Sequence, residues 1–199
     1  TSSTGKYNHL GSSLNLFGRS DGMNEYGLTV CKASNGFPVG NFPGAQPAQV
    51  TGFSFWVVVR ALLEQCKTAE ECLAWLLEAP IAYNINLIAA DPSGKTLLFE
   101  TLDGHKSFLW LSDSPQGFIS ATNHSILDEI KPFEKQIMVN SEQRQALIDE
   151  TCQTKQHISS DDIQQLLSTP FPHGVCCHYY HDFLGTLHSI IFNDSMETM

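Results

Sequence analysis

At 199 residues, 42% of them hydrophobic, the chain is long enough to bury a substantial core, and its length favours a single domain over residues 1–199. A net charge of −10 and a pI near 5.1, with no compensating run of Lys and Arg, argue against nucleic acid and anionic membranes as partners. The longest apolar runs, such as 53–63, are interrupted by Ser54 and Arg60 and fall short of a membrane span, and six cysteines without a repeating spacing read as mostly reduced thiols of a cytoplasmic protein.

The chain opens on Thr1 without a charged or apolar leader, so a signal peptide is expected to be absent or removed, and the start looks like a cut. Residues 1–9 are small and polar, anchored by Tyr7 alone, and are expected to be poorly ordered unless a neighbour holds them. A strand-like run at 13–17 follows. Asp21-Gly22-Met23-Asn24-Glu25-Tyr26-Gly27 reads as a polar, glycine-bracketed turn leading into a strand at 27–33, with Asn24 and Asn35 at its two ends. Residues 35–49 collect Gly, Pro and Asn, the composition of a loop that carries function.

Helical spacing predicts a helix over 55–65. A second is announced by Thr68, which can cap free amides, and by Glu71, which can reach back to close a capping box, with Pro80 as the stop. Four short β-rich runs follow, at 86–90, 95–101, 106–111 and 117–122; the Asp91-Pro92-Ser93-Gly94 and Asp103-Gly104 turns between them predict an antiparallel meander. Helical spacing resumes over 141–152, and Ser160-Asp161-Asp162 supplies a cap and acidic first turn for a helix to Ser168. Residues 175–180 and 186–193 read as closing strands. Consecutive antiparallel strands flanked by helices predict an α+β fold.

Cleavage of an amide by a cysteine needs a thiolate, a base, and donors that hold the oxyanion of the tetrahedral intermediate. Asparagine suits the last task, because a neutral amide donates without the desolvation cost of a buried charge. Asn123 follows the expected strand at 117–122 and can project from a sheet edge; taken alone, it reads as a turn residue bonding backbone. Arg144 taken alone reads equally as one half of a helix-surface salt bridge.

The segments Gly22-Met23-Asn24-Glu25-Tyr26-Gly27-Leu28, Thr122-Asn123-His124, Ser141-Glu142-Gln143-Arg144 and Gly185-Thr186-Leu187-His188-Ser189 occur in one order. In that order they resemble the penicillin acyltransferase-like branch of the choloylglycine hydrolase superfamily. The resemblance implies a four-layer αββα sandwich of the N-terminal nucleophile type. Its nucleophile would be a cysteine freed by autoproteolysis, with its own α-amine as base. The implied reaction is hydrolysis or transfer of an acyl group from a small linear amide through a thioester, without metal or organic cofactor.

By position, the resemblance makes Asn123 the oxyanion-hole amide and places the second polar group at Asn35 or its neighbour Ser34. Arg144 becomes the support for the nucleophile, and Ser34 and His124 contact substrate. Asn24 and Glu25 are expected to fix a turn, and Thr186 and Ser189 to pack on a closing strand. Oligomeric state stays open, a homo-oligomer included.

In relatives the nucleophilic cysteine lies several dozen residues before the Asn-Glu motif, whereas twenty-three residues precede Asn24, and Cys31 follows the motif. The family's final strand is also not recognised before Met199. The expectation is a nucleophile upstream of Thr1, or a homologue that binds ligand without catalysis. Two rivals carry less weight. Thr1 could be a nucleophile with a free amine, but Ser2-Ser3-Thr4-Gly5 lacks the apolar alternation to bury it. His173, Cys176, Cys177, His178 and His181 have the residue types of a zinc site, but a strand at 175–180 would split them between two faces.

Overall fold

The computed structural model describes residues 6–13, 17–36, 38–41, 43–182 and 184–193, and the chain divides into two compact units. One unit lies in the residues up to Met138; the other spans Val139–Asn193.

In the first unit, strands β1 (His9–Leu10), β2 (Asp21–Asn24), β3 (Thr29–Ser34), β4 (Ile85–Ala90), β5 (Thr96–Leu102) and β6 (His105–Trp110) form one antiparallel sheet in sequential order. Helices α1 (Phe55–Gln65) and α2 (Ala69–Glu78) lie between β3 and β4 in sequence and cover one sheet face. The fold is α+β, as the spacing predicts. Residues 14–16 of the strand-like run at 13–17 lie outside the described residues. The expected turn starting at Asp21 begins instead at Glu25, because Asp21–Asn24 pairs with both β1 and β3.

Alternation along the strands decides what each face carries. Leu87, Ala89, Leu97 and Phe99 point toward the helices and pack with Val58, Leu62, Leu63, Cys72 and Leu76, all fully buried. Each large aliphatic side chain removed from water in this way contributes about 2 kcal/mol. The alternate residues Ile88, Leu98 and Leu102 face the other side, where Ile119, Ala121, Ile126, Leu127 and Ile130 cover them. Asn86 and Glu100 share that second face, directly paired across β4 and β5, and both are buried.

Both helices are fastened by side chains from the sheet layer. The Asn24 amide nitrogen donates to Leu63 O at 3.0 Å and Cys66 O at 2.8 Å, closing the carbonyl end of α1, while its oxygen accepts from Tyr26 N and Leu28 N. Lys106 Nζ donates to the carbonyls of Leu76, Leu77 and Ala79 at 2.7–2.9 Å, placing a cation at the negative end of α2. At the other end of α2, Thr68 caps Glu71 N, and Asp91 Oδ2 accepts from Ala69 N at 2.9 Å. Glu71 reaches back one residue further than a capping box requires, accepting from Lys67 N at 2.6 Å. Asp103 and Gly104, both with positive φ, join β5 to β6 in the manner of a type I′ turn.

The fourth run of the expected meander, 117–122, is not a strand. Ile119 and Ala121 instead pack on the second face of the sheet, so the segment crosses that face and does not extend the ladder beyond β6. Asn123 therefore does not follow a strand. Its flanking carbonyls find partners in side chains: the Asn86 amide donates to Thr122 O at 3.0 Å and to His124 O at 2.7 Å.

The second unit contains α3 (Val139–Thr154) and α4 (Ser160–Ser168). The cap of α4 is Ser159, one residue before the expected one, with Asp162 completing a capping box. The two expected closing strands reduce to the two-residue pair β7 (His178–Tyr179) and β8 (Leu184–Gly185). Residues 186–193 carry no regular structure, and Leu187 is 71% exposed. Alternating apolar residues make a strand only where a second backbone edge accepts the ladder, and none does so for 186–193 among the described residues.

Two stability measurements test this account. Asn24→Ala leaves two helix-end carbonyls and two turn amides without partners, and urea unfolding should show a loss of about 3 kcal/mol. Burial raises the Glu100 carboxyl from 4.5 to about 7, against the Leu127 and Ile126 amides, which favour its ionised form. The folded state thus keeps a proton that the unfolded chain releases, so stability contributed at Glu100 falls as pH rises from about 4.5 to about 7. Relative to wild type, Glu100→Gln should therefore gain on the order of 3 kcal/mol across that window and stay level above it. A pH-independent difference in urea unfolding would contradict this.

Candidate active site

The carbonyl end of β3 is where the sequence-predicted residues of the first unit meet. The strand runs out at Ser34, and Asn35 and Gly36 turn the chain, Gly36 with φ +61°, a conformation that favours glycine. Asn35 is 1% exposed, and its amide N–H donates to Asn84 O at 3.0 Å. Its side-chain nitrogen donates to Ser125 Oγ at 3.2 Å, and that hydroxyl donates to Asn35 Oδ1 at 3.4 Å.

Asn123 reaches the same place from the crossing segment. Its side-chain nitrogen donates to Ser34 O at 2.9 Å and lies 3.3 Å from Ser34 Oγ. Ser34, Asn35 and Asn123, 89 positions apart in sequence at the Ser34–Asn123 bond, are thus brought together. His124 follows Asn123, with Nδ1 3.1 Å from Thr122 Oγ1 and its carbonyl held by Asn86.

A cleft of about 280 Å³ opens beside this cluster, lined by Ser34, Asn35, Phe55, Trp56, Tyr83 and Asn84 among others. Its aromatic wall is continuous: the Phe55 ring lies 4.4 Å from that of Trp56 and 5.5 Å from that of Tyr83. Lys32 Nζ sits over the Phe55 ring at 3.8 Å, and burial lowers its ammonium to about 8. On the adjacent position of β3, burial and the charge of Asp21 push the Cys31 thiol up to about 12, so it carries no nucleophilic thiolate near neutral pH. The cleft therefore pairs an apolar wall with amide donors, a combination suited to an acyl group and its carbonyl.

The crossing segment is held by residues that sequence reading did not select. Asn86 binds the carbonyls of Thr122 and His124, and Glu134 Oε2 accepts from Ser125 N at 2.8 Å. Glu100 accepts from Ile126 N at 2.8 Å and Leu127 N at 3.0 Å. The available signal was a polar residue inside an otherwise apolar strand, as in Ile85-Asn86-Leu87-Ile88 and Leu97-Leu98-Phe99-Glu100.

Asn24 fixes the turn as expected, and Glu25 accepts from Asn8 N and Asn8 Nδ2. In the second unit Arg144 lies on α3; burial of its guanidinium lowers its basicity, while Cys177 and Tyr179 act in the opposite sense. Thr186 is not a packing residue of a strand: its hydroxyl accepts from Cys177 N at 3.0 Å, and its own N–H donates to Cys177 O at 2.8 Å. Cys176 Sγ lies 3.2 Å from His178 Nε2. Among the described residues no three His, Cys, Asp or Glu side chains gather as metal ligands, and Thr1 lies outside those residues. No described helix is long and apolar enough to cross a membrane.

Three solved structures resemble parts of the chain. Penicillin V acylase from Agrobacterium tumefaciens is 25% identical over 54% of this chain and 34% of its own, with a TM-score of 0.40. Two variants of conjugated bile acid hydrolase from Clostridium perfringens are 19% and 20% identical over 63% of this chain and 40% of theirs, with TM-scores of 0.46 and 0.45. The chain thus spans well under half the length of each. No curated protein sequence matches it. The family model described as acyl-coenzyme A:6-aminopenicillanic acid acyl-transferase matches residues 1–199 throughout, in agreement with the four ordered motifs, and the chain belongs to that family.

Proposed function

We propose that this chain forms part of an enzyme that hydrolyses a linear amide or transfers its acyl group, with Asn123 and Asn35 as the oxyanion-binding amides. The observation that carries the reading is the meeting of Asn123 with Ser34, which with its neighbour Asn35 lines an aromatic-walled cleft. Family membership over the whole chain supports the acyl-transfer chemistry. The complete domain would be the four-layer αββα sandwich, with the six-stranded sheet as one of its two inner layers and residues 1–199 within a single domain.

In this reading the nucleophile is an N-terminal cysteine carried on a segment other than residues 1–199. Its thiolate adds to the amide carbonyl, forming the C–S bond and an oxyanion that the Asn123 and Asn35 amides receive. The C–N bond then breaks, the leaving amine takes a proton from the cysteine's α-ammonium, and water or an acceptor amine releases the acyl group from the thioester. Ser34 and His124 would contact substrate. Arg144 keeps its role as support for the nucleophile on the strength of the Ser141-Glu142-Gln143-Arg144 match alone.

A ligand-binding relative without catalysis is the second reading. It is favoured by the engagement of both carboxamides within the fold, Asn123 by Ser34 and Asn35 by Ser125.

Intact-mass measurement of the full-length protein during turnover of a panel of linear acyl amides should detect an acyl adduct that neutral hydroxylamine removes. Neither adduct nor turnover across the panel would favour the second reading. In the same protein, Asn123→Ala should lower kcat about 100-fold, the effect of losing one oxyanion donor. Its cost in stability should stay below about 1.5 kcal/mol. Unchanged turnover would remove Asn123 from the site.

A further inference from the structure

Asn123 stands in a segment without secondary structure, yet an oxyanion donor must be aimed to within a fraction of an ångström before the reaction begins. What aims it lies beneath it. The two N–H groups of the Asn86 carboxamide donate to the carbonyls on either side of Asn123, Thr122 O at 3.0 Å and His124 O at 2.7 Å. The Thr122–Asn123 peptide, which enters Asn123, and the His124–Ser125 peptide, one residue beyond it, are thereby pinned to β4. Three residues further on, Glu100 takes the amides of Ile126 and Leu127 on its two carboxylate oxygens, pinning the segment to β5. Asn86 and Glu100 are paired neighbours across the two strands and are 1% and 0% exposed.

The choice of residue at position 86 is informative. Its Oδ1 is buried without a hydrogen-bond partner among the described residues, a cost that an apolar side chain on this apolar face would avoid. Only a side chain with two donors can bind both carbonyls, which excludes Asp, Ser and Thr as equivalents. The orphaned oxygen accompanies the double donor and does nothing for packing.

Resting on the reading of Asn123 as an oxyanion donor, we infer that Asn86 is a positioning residue for the acyl-transfer reaction. It holds the backbone on both sides of Asn123, with Glu100 as the second anchor of the same segment. Asn86 touches neither substrate nor nucleophile in this role and acts through Asn123.

The test is a double-mutant cycle in the full-length protein, with kcat and KM measured on the amide turned over fastest in the panel above, for Asn86→Ala, Asn123→Ala and the double variant. Asn86→Ala should lower kcat about tenfold with KM unchanged, the signature of a misplaced catalytic group. In the Asn123→Ala background the same substitution should change kcat by less than about twofold, because the group it positions is gone. A tenfold loss that persists in that background, or a wild-type kcat for Asn86→Ala, would overturn the inference. If Asn123→Ala itself keeps wild-type kcat, the oxyanion reading fails and this inference fails with it, a result distinct from the other two. Should Asn86→Ala be recovered unfolded by circular dichroism, the same cycle run with Asn86→Ser, which stays polar but keeps one donor in place of two, decides by the same criteria.

Discussion

Every segment that lies against the six-stranded sheet without joining its ladder brings backbone N–H and C=O groups into a dry interface, and each of those groups needs a partner. The first unit meets that requirement with polar side chains. Asn24 closes the end of α1, Lys106 the end of α2, and Asp91 and Thr68 the start of α2. Asn86 and Glu100 do the same for the crossing segment that carries Asn123. The apolar clusters on the two faces supply the driving force, but these buried polar contacts set where each segment sits.

The same constraint shapes the candidate site. The amides of Asn35 and Asn123 are directed by partners on β3 and on the crossing segment, so their orientation exists before any substrate arrives. In the proposed reading an oxyanion, a stronger acceptor than a serine hydroxyl or a backbone carbonyl, would displace these neutral partners. The raised affinity of Glu100 for a proton follows from the same burial that makes its two amide bonds effective.

The second unit is built differently. Its helices are well marked, with a full capping box at the start of α4, whereas its strand pair is two residues long on each side. Tyr180 Oη donates to Thr186 O at 2.7 Å, and the mutual bonds of Thr186 and Cys177 tie the same corner. Side-chain and turn contacts thus replace the ladder that the apolar alternation of 186–193 leads one to expect.

Local chemistry carried much of this protein into view from its sequence. The bounds of α1, the Thr68 cap, the hairpins at Asp91 and Asp103-Gly104, and the α+β class follow from spacing and turn residues, which depend only on neighbours along the chain. The four ordered motifs also identified the family. Tertiary structure alone decided that 117–122 crosses a sheet face, that 186–193 finds no ladder, and that Asn86 and Glu100 bind the segment around Asn123. Those outcomes turn on which backbone edges and buried donors meet across dozens of intervening residues, and hydrophobic periodicity reports the exposure of a residue, not the partner it will meet.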